Sequence, residues 1–137
     1  SPKPLQAPYP PLLIGGSSAA AKRRVVRFGD GWHTLRQSPS QFAEGRQDII
    51  KEMEAAGRDP ADLQFSLTLP VRFTGKAPSA PVQDRTALTG TDDDIVETIK
   101  AYEAAGLDEI VVGVSSADVA ENTDAMEHFM QRVWSKL

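Results

Sequence analysis

Pro10-Pro11-Leu12-Leu13-Ile14-Gly15-Gly16-Ser17-Ser18 is followed by a short basic segment and then by Gly29-Asp30-Gly31-Trp32. Three bulky apolar residues between prolines and glycines read as a short buried strand, Leu12–Ile14. The glycine pair lets the backbone turn sharply and approach a ligand, because no Cβ intervenes. Ser17 or Ser18 then caps a helix over Ala19–Phe28 that stops at Gly29. A strand, a glycine turn and a helix N-terminus together suit an anion, since free N–H groups and the positive end of the helix dipole converge there. The same pattern also reads as a βα turn that holds no ligand.

Working outward, residues 1–11 carry Pro2, Pro4, Pro8, Pro10 and Pro11 and read as an extended lead-in. Lys22, Arg23, Arg24 and Arg27 give the first helix either a solvated basic face or a docking surface for an extended anion. Asp30–Leu35 has the β-prone bulk of a second strand. Ser38-Pro39-Ser40-Gln41 is a capping box with proline at the first helical position, and the helix it opens runs to Gly57. Leu63–Phe73 alternates apolar and polar residues as a third strand does, with Pro70 predicting a bend or an end. Residues 74–90 read as one long connection, of the kind that is functional or mobile. Thr91 caps a helix whose first turn is Asp92, Asp93 and Asp94, and Ile95, Ile99 and Tyr102 form its buried stripe. Asp108–Val114 is the fourth strand. A last helix carries Met126, Phe129, Met130, Val133, Trp134 and Leu137 as an apolar stripe, with Trp134 a packing anchor.

The alternation β-α-β-α-β-α-β-α means parallel strands joined by right-handed crossovers. Glu54-Ala55-Ala56-Gly57-Arg58-Asp59 and Glu103-Ala104-Ala105-Gly106-Leu107-Asp108 repeat one helix-to-strand hinge. The chain of 137 residues suffices for one domain with a real core. A net charge of −4 argues against general nucleic-acid binding. No apolar run approaches the roughly 18 residues of a membrane span. The absence of cysteine removes disulfide and thiolate chemistry and fits a cytoplasmic protein. The chain opens at Ser1 rather than methionine, which reads as a processed product or a fragment.

Side-chain nucleophiles and metal sites find no support in these residues. There is no Gly-x-Ser-x-Gly elbow and no Walker loop, and His33 and His128 lack ligand-spaced partners for zinc. The acidic triplet 92–94 is capping, because three successive helical residues cannot face one ion. His128 reads as a surface or satisfied histidine. His33, after Asp30-Gly31-Trp32 at the end of a short strand, stands where βα loops of barrel enzymes gather site residues.

Pro2-Lys3-Pro4-Leu5-Gln6, Pro8–Ser17 and Phe28-Gly29-Asp30-Gly31-Trp32 resemble the C-terminal half of luciferase-like monooxygenases, and more closely their coenzyme F420-dependent oxidoreductase branch. Ala56-Gly57-Arg58-Asp59-Pro60, the Gly90-Thr91 turn before Asp93-Asp94-Ile95-Val96, and Tyr102–Glu109 are similar too. The likeness spans nearly the whole chain, least in Thr74–Leu88. It implies an α/β fold that is the C-terminal half, four βα units, of a (β/α)8 TIM barrel, with 1–137 one luciferase-like domain. It implies a reduced F420, or alternatively FMN, at the C-terminal ends of the strands, serving hydride transfer or monooxygenation of a small-molecule substrate. By the same resemblance Gly15, Gly16 and Ser17 hold the cofactor phosphate, and Trp32, His33 and Thr34 form a second wall. A barrel of this class needs about 250 residues, so no catalytic residue of the other half can be placed here, and activity of the chain alone is left open. The competing reading is a non-catalytic α/β half-barrel that binds or assembles. The uncovered inward face and edges at Leu12–Ile14 and Ile110–Val114 predict a homo-oligomer or pairing with the N-terminal half-barrel.

Overall fold

The computed structural model describes residues 5–7, 9–114 and 116–137. Much of the lead-in (1–4 and Pro8), and Ser115 before the last helix, lie outside the described residues. Five strands and four helices follow in order: β1 (Leu13–Gly15), α1 (Ala19–Phe28), β2 (Gly31–Leu35), α2 (Pro39–Ala55), β3 (Gln64–Phe73), β4 (Leu88–Gly90), α3 (Asp92–Ala104), β5 (Glu109–Gly113) and α4 (Val119–His128). All pairings are parallel: β1 with β2, β2 with β3, and β3 with both β4 and β5. β5 takes the N-terminal part of β3, from Ser66↔Glu109 to Pro70↔Gly113, and β4 takes its last three residues. The fold is thus the α/β arrangement that the alternation predicts.

Register decides which face is core. Ile14, Trp32 and Phe65 stand in one row across β1, β2 and β3, and Leu67 and Leu69 pair with Ile110 and Val112. These residues meet Val25, Phe42, Ile49, Met53, Ile95, Ile99 and Tyr102 of the helices in one core cluster. The opposite face carries Leu13, His33, Leu35, Ser66, Thr68, Pro70 and Val111. There Leu13, Leu35 and Val111 are 42%, 63% and 42% exposed. Parallel sheets are ordinarily covered on both faces; this one is covered on one.

The two predicted hinges form as the same device. Gly57 and Gly106 adopt φ +73° and +85°, and the following amides reach back, Arg58 N–H to Met53 O and Leu107 N–H to Tyr102 O. Each hinge then delivers an aspartate or arginine to a neighbour. Asp108 accepts from the Phe65 amide at 2.8 Å. Arg58 donates to Val25 O, Val26 O and Gly29 O at 3.1, 2.7 and 2.9 Å, closing the C-terminal end of α1. Both capping boxes are present, Ser38 with Gln41 and Thr91 with Asp94. The Thr91 hydroxyl, and then its amide, hold the Asp94 carboxyl below the ordinary carboxylate range.

Three expectations need correction. β3 runs straight through Pro70. Thr68 O faces β2, where it accepts from Arg36 N–H, so Pro70, two residues on, presents its missing donor beyond the last β2 rung at Leu35↔Thr68. No ladder bond is lost there. Residues 74–90 contain a 3-10 turn at Val82–Asp84 and strand β4, both too short to produce a periodic signal. The last helix changes winding, from α4 to a π-type turn at Phe129–Val133 and a 3-10 turn at Trp134–Lys136. That change rotates the stripe: Phe129 and Val133 are buried, while Met130 and Trp134 are 52% and 56% exposed. Trp134 is therefore no core anchor.

Candidate functional site at the strand C-termini

The glycine turn follows β1 and enters α1. Gly16 adopts φ +106°, its N–H donates to His33 O at 3.0 Å, and its carbonyl accepts from Trp32 Nε1 at 2.7 Å. Gly16 is thus knotted into the sheet and its amide is committed. The side chain of Ser18 caps α1 by accepting from Ala21 N–H at 3.2 Å. Gly15 through Ala20 are exposed. A Cβ built at Gly15 would meet no atom within 4 Å, whereas one at Gly16 would lie 3.3 Å from Ala21 Cβ. Open space therefore lies beside Gly15, four residues before the first turn of α1.

The three residues expected to form a second wall divide between faces, since neighbours in a strand point oppositely. Trp32 and Thr34 are buried on the helix side, 0% and 2% exposed. Trp32 stacks on Phe42 at 5.4 Å and meets Phe65 edge-on at 6.3 Å. Its indole ends against Gly45, where a Cβ would approach Cη2 to 2.7 Å. Trp32 reaches the glycine turn only through its N–H, as a brace. His33 alone looks onto the open face. Its Nδ1 lies 2.8 Å from Ser66 Oγ and its Nε2 3.0 Å from Thr68 Oγ1. Both partners are hydroxyls, able to donate or accept, so either imidazole protonation state keeps both bonds.

Above this row lies a cavity of about 470 Å³, lined by Leu35, Arg36, Thr68, Pro70, Gly113 and Val114. It sits at the C-terminal ends of β2 and β5, against the middle of β3. Arg36 adopts φ +51°, the one described non-glycine residue in the left-handed region, and such strain often marks a site. Ser66, Thr68 and Arg36 were not singled out from the sequence. The alternation of Leu63–Phe73 carried the signal, because it assigns Ser66, Thr68, Pro70 and Arg72 to the face opposite the core.

The remaining singled-out groups are placed elsewhere. Lys22 pairs with Asp48 at 2.6 Å across α1 and α2. Arg23, Arg24 and Arg27 line a groove of about 550 Å³ with Phe28 and Glu52, on the helix layer. His128 Nε2 lies 2.7 Å from Asp92 Oδ1, and Lys136 Nζ 2.6 Å from Asp93 Oδ1. With Asp94 in its capping box, each carboxylate of the triplet has its own partner. Among the described residues no group of three metal-ligating side chains converges, and no helix is long and apolar enough to cross a membrane.

Comparison with known proteins fits this geometry to a family. The luciferase-like monooxygenase family model matches residues 1–81. The chain belongs to the luciferase-like monooxygenase family. Among solved structures it is similar to the monooxygenase RslO1 from Streptomyces bottropensis, at TM-score 0.74 and 19% identity over 98% of this chain and 50% of that one. It is also similar to the coenzyme F420-dependent tetrahydromethanopterin reductase from Methanopyrus kandleri, at TM-score 0.70 and 14% identity over 92% of this chain and 50% of that one. A curated protein named lipoyl synthase, from Leptothrix cholodnii, is 28% identical over 81 residues, 58% of this chain and 24% of that protein. The chain thus spans about half the length of these two solved structures and a quarter of the curated relative. As a luciferase-like protein it carries half of a TIM-barrel fold, which accounts for a parallel sheet with one face uncovered.

Proposed function

We propose that this luciferase-like chain is the C-terminal half-barrel of an F420-dependent oxidoreductase, with FMN the alternative cofactor, and that it supplies the cofactor's phosphate site. The observation that carries the reading is the glycine turn. It is exposed at the strand C-termini, opens onto a helix N-terminus, and leaves free space where a Cβ at Gly15 would stand. Gly15, Ser17 and the first amides of α1 would hold the phosphate, Gly16 fixing the turn's shape from beneath. His33, held by Ser66 and Thr68, lines the face against which the ring would lie. When bound, such a cofactor supplies hydride transfer or, as a flavin, oxygen chemistry. The chain's own contribution is to bind and to orient. Its open apolar face would be covered by the other half-barrel or a second copy, in the cytoplasm.

Titration with F420 and with FMN, followed by fluorescence, tests this. Gly15→Val places bulk in the free space without backbone strain, and should weaken binding about tenfold or more, while circular dichroism stays unchanged. Gly16→Val is the poorer probe, because its positive φ would be strained in any case. Unchanged affinity in a folded Gly15→Val protein, or no binding of either cofactor, overturns the phosphate site.

A further inference from the structure

We propose that Arg72 and Lys76 form a second anion subsite, at the C-terminal end of β3, which receives the anionic group of the substrate. This rests on the cofactor reading above and adds the substrate's chemical class, a carboxylate- or phosphate-bearing small molecule.

A separate cavity of about 390 Å³ lies there, lined by Arg72, Thr74, Lys76, Ser79, Thr86 and Thr89 among others. Its charged lining is Arg72, Lys76, Arg85 and Asp84. Arg85 is occupied: its Nη1 donates to Glu97 Oε2 at 3.0 Å, Thr98 Oγ1 at 2.9 Å and Asp94 O at 3.1 Å. Arg72 and Lys76 have no carboxylate within salt-bridge distance among the described residues. Two cations therefore face one carboxylate, Asp84, in a chain whose net charge is −4. The hydroxyls of Ser79, Thr86 and Thr89 add donors of the kind that complete an oxyanion's shell.

Local structure fixes both cations. Arg72 follows Ser66, Thr68 and Pro70 on the open face of β3, in register with Thr89 of β4. Lys76 is set by a tight turn. Thr74 and Gly75 both donate their amides to Gly90 O, at 3.1 and 3.3 Å. Gly75 turns back at φ +64°, and Thr74 Oγ1 donates to Lys76 O at 3.0 Å. The turn thus places Lys76 just past the end of β3, where it lines the cavity. The glycine turn ends β1, two strands away, and through His33 Gly15 stands level with Ser66, six residues before Arg72 on β3; at about 4.8 Å per strand and about 3.3 Å per residue the two sites are roughly 20 Å apart. That spacing separates a cofactor phosphate from the anionic end of a second molecule lying on the face between them.

Inorganic phosphate and acetate, titrated into the ¹⁵N-labelled protein, test the assignment. Each is expected to shift the amides of Thr74, Gly75, Lys76, Thr86 and Thr89. Arg72→Ala and Lys76→Ala should each weaken that response about tenfold, Arg72→Lys should recover part of it, and raised salt should reduce it. Gly15→Val should leave this response intact while weakening F420 or FMN binding. Shifts confined to Gly15–Ala20, or a response at Thr74–Thr89 that survives both alanine variants in folded protein, overturn the subsite while leaving the cofactor reading standing. No response at millimolar phosphate or acetate also overturns it. Loss of cofactor binding alone overturns the cofactor reading and leaves this anion site measurable.

Discussion

Replacing Arg58 by alanine tests the link between the predicted hinge and the glycine turn that enters α1. The guanidinium donates three bonds to the C-terminal end of α1, to Val25 O, Val26 O and Gly29 O. Gly29 N–H also uses Val25 O, so alanine leaves Val26 O and Gly29 O without these donors and removes a cation from the negative end of the helix dipole. Hydrogen bonds from charged donors contribute about 1.5–3 kcal/mol each, but Arg58 is half-buried and water can reach the freed carbonyls, which brings the sum down to about 2–3 kcal/mol. With a urea m-value of about 1.5 kcal/mol/M, the midpoint should fall by about 1.3–2 M. Arg58→Lys keeps the charge and loses the fork, and should recover less than half. α1 starts at the glycine turn, so cofactor affinity should fall in Arg58→Ala as well. A midpoint within about 0.3 M of the parent, a change of no more than about 0.5 kcal/mol at that m-value, would show that α1 is held by its packing alone.

Tyr102 is buried with its hydroxyl 2.6 Å from Gln37 O and 2.8 Å from Arg85 O, and burial pushes its ionisation up. The folded state keeps this proton above pH about 10, where the unfolded chain loses it, so stability is intact below that pH and falls as pH rises, by up to about 1.36 kcal/mol per unit; Tyr102→Phe should lose about 1–3 kcal/mol at neutral pH and this share of the alkaline slope, as urea unfolding across pH would show. Gly45→Ala should destabilise by about 1–3 kcal/mol through the clash with Trp32, and a neutral or stabilising result in thermal melts would mean the indole has room to move. Trypsin should cut after exposed Lys76 well before Arg85, whose guanidinium is anchored; equal rates would refute the anchoring. Light scattering should find the 14.8 kDa chain self-associated or paired, and a folded monomer at every concentration would show that its open face is stable in water.

Legibility of this fold followed interaction range. Elements written by neighbours a few residues apart were readable: the Ser38 and Thr91 capping boxes, the glycine stops at 57 and 106, and the alternation of β3. β4 and the rewinding after His128 were not. Three residues carry no period, and the winding of the last segment answers to the pocket that Phe129 and Val133 fill. Gly45 illustrates the same limit, since a glycine inside a helix signals a close approach without naming Trp32, thirteen positions upstream, as its cause.

The candidate site was half-legible for a further reason. The glycine turn is contiguous, so its backbone geometry could be read locally, but Trp32, His33 and Thr34 were taken together although consecutive strand residues cannot share a face. Applying β3's own alternation to β2 would have separated His33 from its two neighbours. It would also have put His33 beside Ser66 and Thr68, with Arg72 further along the same row. Polar residues on alternate positions of a strand ordinarily read as a solvated face. In a parallel sheet from half of a barrel that reading fails, because the face opposite the helices is the interior of the whole. Hydroxyls and an imidazole placed there face the uncovered side of the sheet, and the row in β3 runs on from Ser66 through Thr68 and Pro70 to Arg72.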